Sequence, residues 1–206
     1  MKIFKKNKVP NLLTILRILF IIPVIGLAIC FSNDYYLRFD QKNKTIILLM
    51  ILVFFIIAML TDFIDGYLAR KWKVVSTFGK IFDPIADKLM TTSVLIFLSV
   101  NNFLPYTYII LLILRDIVVD AFRIIMSKNN VKVEAIKTAK WKTMTLSIAI
   151  VILFILILVD IHTENNFLYY WTWSKWVYSI YFVIPVTLST FSGYLYYKKA
   201  KQFLFS

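Results

Sequence analysis

The sequence predicts an all-α integral membrane protein with six transmembrane helices, and three observations predict it. Hydrophobic residues make up 60% of the 206 residues, whereas a soluble domain contains about 45–50%. The apolar residues form long runs, of the length that an α-helix needs to cross a bilayer. Basic residues gather at alternate connections between these runs, as the positive-inside rule describes.

Six apolar runs define the predicted spans. Neither a Pro-, Gly- or Ser-rich linker nor an internal repeat divides the sequence, so we expect one membrane domain over residues 1–206. The predicted spans are Leu12–Phe31, Thr45–Arg70, Gly79–Val100, Pro105–Met126, Thr138–Val159 and Trp171–Tyr197.

The charges of the connections predict the orientation. The first connection mixes both signs, the third has no charge, and the fifth has two acids and no base. Because cytoplasmic loops are enriched in Lys and Arg, both termini are expected to face the cytoplasm of a multi-pass plasma-membrane protein. The net charge of +13 is expected to attract anionic membrane lipids rather than nucleic acid. The basic positions are Lys2, Lys5, Lys6, Lys8, Arg70, Lys71, Lys73, Lys80, Lys128, Lys132, Lys137, Lys140, Lys142, Lys198, Lys199 and Lys201.

Four aspartates stand at fixed spacings where the second span ends and the third begins. Positions three or four apart share a helical face, so each half of the motif forms one polar stripe, and a basic turn folds the two helices antiparallel. Four carboxylates then converge at the cytoplasmic surface, where they need a cationic partner. Hard oxygen ligands suit Mg²⁺ or Mn²⁺. The motif spans residues 62–87 and contains Asp62, Asp65, Gly66, Ala69, Arg70, Gly79, Asp83 and Asp87.

The other motif residues suit a phosphorylated ligand. Two ions held about 4 Å apart clamp a diphosphate and stabilise charge on its leaving oxygen. Gly66 and Gly79 lack side chains, so a bulky ligand can approach the backbone. Ala69 lies on the same face, and its short side chain does not obstruct the ligand. Arg70 offers a fork of donors to phosphate oxygens. The alternative, four solvated aspartates at helix ends, is disfavoured by the length of the complete pattern.

The pattern Asp-x₂-Asp-Gly-x₂-Ala-Arg-x₈-Gly-x₃-Asp-x₃-Asp resembles the signature of the CDP-alcohol phosphotransferase family. The resemblance implies a six-helix membrane enzyme, usually a homodimer, that transfers a phosphatidyl or phospho-alcohol group from a CDP-linked donor to a hydroxyl and releases CMP. It implies that Asp62, Asp65 and Asp83 are metal ligands. Asp87 would complete the site, which takes two divalent ions, and act as general base. The implied CDP pocket is lined by Asp62, Gly66, Ala69, Arg70 and Gly79.

Shorter motifs bear on the acceptor. Residues 10–17, Arg115-Asp116, Arg123 and residues 140–143 resemble the phosphatidylglycerophosphate synthases of this family, although Leu146 stands where some relatives carry Gln. That likeness implies CDP-diacylglycerol as donor and sn-glycerol 3-phosphate as acceptor. An acceptor with its own phosphate needs cations near the metal ions. The candidates are Arg17, Arg115, Arg123, Lys137, Lys140 and Lys142.

The basic candidates also have purely structural interpretations. Arg115 lies inside an apolar run, where an ion pair with a carboxylate of the bundle is the alternative to a ligand. Arg17 is long enough to extend to the membrane interface. The three lysines also fit positive-inside anchoring.

Other functions remain open at this point. Within the family the alternative is a cardiolipin synthase with phosphatidylglycerol as acceptor, or another phosphatidyltransferase. From a different class, intramembrane acids fit a metal-binding transporter, but such sites tend to lie near the midplane between inverted repeats. Here the acids cluster at one surface. A catalytically silent membrane scaffold is disfavoured by the complete motif.

Overall fold

The computed structural model describes residues 2–33, 40–72, 77–129, 137–162 and 174–203, without the side chains of residues 2–11, 68–70, 77, 78, 80, 81, 137–140 and 174. All regular secondary structure in these ranges is helical. The α-helices are α1 (Lys2–Ser32), α2 (Gln41–Trp72), α3 (Thr77–Val100), α4 (Tyr106–Lys128), α5 (Lys137–His162), α6 (Ser174–Tyr178) and α7 (Val183–Ala200). Short 3₁₀ turns at Ile180–Phe182 and Lys201–Phe203 flank α7.

The first five predicted spans each fall on one continuous helix. The sixth, predicted over Trp171–Tyr197, is instead divided between α6 and α7. Ser179 leaves the helical conformation at φ −104° and ψ 11°, and its hydroxyl donates to the Lys175 carbonyl. Serine competes for backbone bonds in this way and favours helix ends. Pro185 then stands at the third position of α7, where its missing N–H is tolerated.

Three helical segments are long and apolar enough to cross a membrane by length and composition alone: Leu12–Ser32, Gln41–Tyr67 and Trp141–His162. Helices α3 and α4 are of similar length but carry more charge within their apolar stretches. The charged residues in the two helices are Lys80, Asp83, Asp87, Lys88, Arg115, Asp116, Asp120, Arg123 and Lys128. Six crossings and the orientation of the termini therefore stay predictions.

Residues 1–101 form the first of two compact units. In it α1 packs against both α2 and α3. Val24, Leu48 and Val94 are fully buried in its core, and the rings of Phe31 and Phe97 meet edge to face with centroids 5.4 Å apart. The packing of α1 on both neighbours sets its polar positions beside the aspartate motif, which α2 and α3 carry.

Residues 102–206 form the second unit. Helix α7 packs against both α4 and α5, and Val119, Met126, Tyr196 and Ala200 form a buried cluster between α4 and α7. The chain enters this unit through Asn102, whose φ of 61° is left-handed, a conformation that Asn adopts more readily than most residues. Helix α7 thus provides the surface on which the polar face of α4 lies.

Candidate active site

Among the described side chains, α1 contacts Asp62, Asp65 and Asp83 of the motif. Arg17 Nη1 donates to Asp62 Oδ1 at 2.8 Å, and Arg17 Nη2 donates to Asp65 Oδ2 at 2.5 Å. One turn earlier, the Thr14 hydroxyl donates to Asp83 Oδ1 at 2.5 Å. Thr14 and Arg17 are both buried. Because these two residues stand three apart on one helical face, α1 joins the two halves of the motif.

The aspartates differ in exposure. Asp65 is buried, whereas the Asp62 side chain is 48% exposed. Arg17 bonds Asp62 and Asp65 on α2, and Thr14 on the same face of α1 bonds Asp83 on α3, so residues of both stripes meet this face of α1. Asp87 follows Asp83 by one turn of α3 and is partly buried. Three acidic groups thus converge on one region, which Arg17 partly neutralises.

The predicted CDP pocket is described only in part. Gly66 lies on α2 one residue after Asp65 and is partly buried, and Gly79 is buried on α3. The side chains of Ala69 and Arg70 lie outside the described part of the structure. The assignment of these four residues to a nucleotide pocket therefore stays a prediction.

The aspartates have the chemistry of a divalent-metal site. Carboxylate oxygens are the hard ligands that Mg²⁺ and Mn²⁺ prefer, and Asp62 and Asp65 each already direct an oxygen to one cation, the Arg17 guanidinium. Within the described residues no three His, Cys, Asp or Glu side chains are grouped closely enough to hold an ion. The residues fit such an ion in donor type, and Arg17 bonds one oxygen of Asp62 and one of Asp65.

A second polar cluster joins α4, α5 and α7 within the second unit. Arg115 donates from Nε to the Ser189 backbone carbonyl at 2.8 Å, from Nη1 to Asp116 Oδ1 at 2.6 Å, and from Nη2 to Ser192 Oγ. Lys142 Nζ lies 2.8 and 2.9 Å from the two oxygens of Asp116. One carboxylate therefore holds two cations from different helices.

Helix α7 shapes the surroundings of both arginines. A Cβ added at Gly193 would lie 3.3 Å from Arg115 Cγ, so the glycine leaves room for the aliphatic part of that side chain. Arg123 lies over the Tyr196 ring at 4.9 Å and donates to its hydroxyl at 2.9 Å. A guanidinium over an aromatic face is held by cation–π attraction. Contacts with residues of α7 therefore hold both arginine side chains in place.

The predicted acceptor cluster falls into two groups. Arg17 belongs to the aspartate cluster of the first unit, while Arg115, Arg123 and Lys142 belong to the network of the second. The Arg115–Asp116 pair matches the structural alternative for Arg115, and the phosphate-binding role stays a prediction. The side chains of Lys137 and Lys140 lie outside the described residues.

Several positioning residues are absent from the sequence-based prediction. The hydroxyl of Thr14 precedes Arg17 by three residues in an apolar helix, a spacing that signals a shared face. In α7, small or hydroxyl-bearing residues recur at the same spacing of three or four. They are Ser189, Ser192, Gly193 and Tyr196.

The chain belongs to the CDP-alcohol phosphatidyltransferase family, whose family model matches residues 7–187. The prediction made from the aspartate motif is therefore confirmed at the level of the family. Members of this family generally depend on divalent metal ions. Together with the apolar helices, family membership identifies a membrane protein.

Individual relatives share one name, CDP-diacylglycerol–glycerol-3-phosphate 3-phosphatidyltransferase. The protein of Mycoplasma genitalium is 38% identical over 144 residues, which cover 68% of this chain and 61% of the relative. That of Mycoplasma pneumoniae is 37% identical over 144 residues, 67% of this chain and 63% of the relative. That of Bacillus subtilis is 34% identical over 135 residues, which cover 65% of this chain and 69% of the relative. The chain thus spans about three fifths of the two Mycoplasma proteins.

Proposed function

We propose that the protein transfers the phosphatidyl group of CDP-diacylglycerol to the 1-hydroxyl of sn-glycerol 3-phosphate, which gives phosphatidylglycerophosphate and CMP. The observation that carries this proposal is the convergence of Asp62, Asp65 and Asp83 around side chains of α1. Family membership and the name shared by the relatives support the same reaction.

In this proposal Asp62, Asp65 and Asp83 hold two divalent ions, Mg²⁺ or Mn²⁺, and Asp87 completes the site. When bound, such ions supply Lewis-acid stabilisation of the charge that develops on the departing phosphate. Gly79 lacks a side chain, which would let the diphosphate approach the backbone. The cytidine diphosphate pocket is proposed to comprise Asp62, Gly66, Ala69, Arg70 and Gly79.

Asp87 is the proposed general base. Its carboxylate accepts the proton of the glycerol 1-hydroxyl, and the hydroxyl oxygen forms a bond to the β-phosphorus. The bond from that phosphorus to the bridging oxygen breaks, and CMP leaves with the electron pair. A carboxylate within hydrogen-bond reach of the hydroxyl suits this step, and Asp87 is partly exposed on the helical face of Asp83.

The acceptor phosphate is proposed to bind the basic residues predicted from the sequence. Among those with described side chains, Arg115 and Lys142 both contact the carboxylate of Asp116, and Arg123 contacts Tyr196 two turns further along α4. Guanidinium groups bind phosphate oxygens through paired donors, so this network suits a phosphate monoester. The full proposed set is Arg17, Arg115, Arg123, Lys137, Lys140 and Lys142.

The proposed setting is the plasma membrane, with six crossings, both termini and the active site on the cytoplasmic side. The donor enters from the bilayer and glycerol 3-phosphate from the cytoplasm. We further propose that residues 1–206 act as one membrane domain and that the enzyme is a homodimer surrounded by membrane lipids. The basic connections support this orientation.

The test is CMP release by detergent-purified protein given CDP-diacylglycerol, Mg²⁺ or Mn²⁺, and one acceptor at a time. Release that requires glycerol 3-phosphate supports the proposal, and Arg115→Ala and Arg123→Ala should then raise the KM for that acceptor selectively. Release only with phosphatidylglycerol would identify a cardiolipin synthase. Metal uptake into sealed vesicles without CMP release would identify a transporter instead.

A further inference from the structure

Arg17 bonds two of the carboxylates that the proposed function assigns to metal ions. Its terminal nitrogens lie 2.8 Å from Asp62 Oδ1 and 2.5 Å from Asp65 Oδ2, and the residue is 1% exposed. Mg²⁺ binds carboxylate oxygens at about 2.0–2.1 Å, closer than either nitrogen lies. The guanidinium therefore occupies one oxygen of each of two carboxylates that the ion would use, and two positive groups so close together repel each other.

The bonding of the Arg17 guanidinium is incomplete. Its Nε is buried and has no hydrogen-bond partner within the described part of the structure. A buried donor without an acceptor is costly, and phosphate oxygens are strong acceptors for a guanidinium. The free Nε donor therefore gives an anionic phosphate ligand a way to bind Arg17 that the two aspartates do not use.

We infer that Arg17 competes with the divalent ion for Asp62 and Asp65, and that a diphosphate ligand shifts this competition toward the metal by accepting hydrogen bonds from Arg17. The inference rests on the proposed metal role of the two aspartates. It makes metal affinity dependent on the nucleotide: the ion binds weakly to the substrate-free protein and more tightly when CDP is present.

The test is Mn²⁺ binding to the substrate-free protein in detergent, measured by electron paramagnetic resonance of the free ion. Arg17→Gln removes the competing charge and should tighten Mn²⁺ binding about tenfold. Lys71→Gln is the matched control, because Lys71 is exposed and lies 5.7 Å from the Tyr67 ring centroid; it should change binding by less than about twofold. CDP should tighten binding strongly in the wild type and only weakly in Arg17→Gln.

Unchanged or weaker Mn²⁺ binding by Arg17→Gln would refute the proposed competition between Arg17 and the ion for Asp62 and Asp65. Asp65→Asn distinguishes failure of this inference from failure of the proposed function. If that variant binds Mn²⁺ as tightly as the wild type does, the aspartates do not hold the ion and the proposed function itself fails. Arg17→Gln leaves two carboxylates without their cation, so its melting temperature in EDTA should fall and should recover with Mn²⁺.

If Arg17→Gln does not fold, Arg17→Lys provides the test, because lysine keeps one charge but loses the fork of donors. Arg17→Lys should still bind Mn²⁺ more tightly than the wild type; equal or weaker binding would overturn the inference.

Discussion

Replacement of Asp116 by Asn tests the ion-pair network of the second unit most severely. Asp116 lies 2.6 Å from Arg115 Nη1 and 2.8 Å from Lys142 Nζ, and those side chains are only 12% and 6% exposed. Water therefore cannot readily replace the lost carboxylate. Breaking a buried ion pair costs about 3–5 kcal/mol. Because Asp116 is 23% exposed and Asn keeps one acceptor oxygen, we expect about 3 kcal/mol, the lower limit of that range.

The assay is reversible unfolding in mixed micelles with increasing SDS, followed by circular dichroism. Asp40→Asn is the matched control, since exposed Asp40 accepts a bond from Gln41 N at 2.9 Å and Asn caps helices as well as Asp does; we expect a change below about 0.5 kcal/mol. Adding Lys142→Met to Asp116→Asn should recover part of the loss, because the unpaired ammonium group is removed. A wild-type free energy of unfolding in Asp116→Asn would refute the reasoning.

Two further predictions use the same unfolding assay. Thr14→Val removes a buried donor to a carboxylate and should cost roughly 2 kcal/mol. Thr45→Val, which removes only a solvent-exposed bond to the Gln41 carbonyl, should cost little; equal losses would contradict the role given to Thr14. Gly193→Ala brings a Cβ to 3.3 Å from Arg115 Cγ, while Gly26→Ala meets nothing within 4 Å. The Gly193 variant should therefore be less stable than the Gly26 variant by about 1–3 kcal/mol, and equal stabilities would show that Arg115 moves aside freely.

The aspartate motif could be predicted from the sequence because its geometry is local. Spacings of three and four residues place Asp62 and Asp65 on one helical face, and Asp83 and Asp87 on another. The short connection between α2 and α3 then brings the two faces together. The bonds of Arg17 to Asp62 and Asp65, and of Thr14 to Asp83, place one face of α1 against both halves of the motif.

The partners of the basic residues could not be predicted in the same way. Arg17 lies 45 residues from Asp62 along the chain, and Arg115 lies 77 residues from Ser192. Such contacts depend on which helices pack together and in which rotation, and helical periodicity within one segment does not contain that information. The sequence marks Arg17 and Arg115 as charged exceptions in apolar helices, but it does not show which distant residues they bond.

The division of the sixth predicted span has a local cause that hydropathy does not register. Ser179 and the 3₁₀ turn at Ile180–Phe182 lie within a continuous apolar stretch, so a search for apolar runs passes over them. The bond from the Ser179 hydroxyl to the Lys175 carbonyl is of the type that weakens and bends helices.

The most direct test of the central claim follows radiolabelled glycerol 3-phosphate into lipid. Purified protein with CDP-diacylglycerol and Mg²⁺ should transfer the label to an organic-soluble product with a phosphatase-sensitive monoester and release one CMP for each label transferred. Asp87→Asn should abolish this transfer yet leave CDP-diacylglycerol binding largely intact, because it removes the proposed base. Absence of labelled lipid with wild-type protein that binds CDP-diacylglycerol would contradict the proposed reaction, and substantial turnover by Asp87→Asn would remove the role of Asp87.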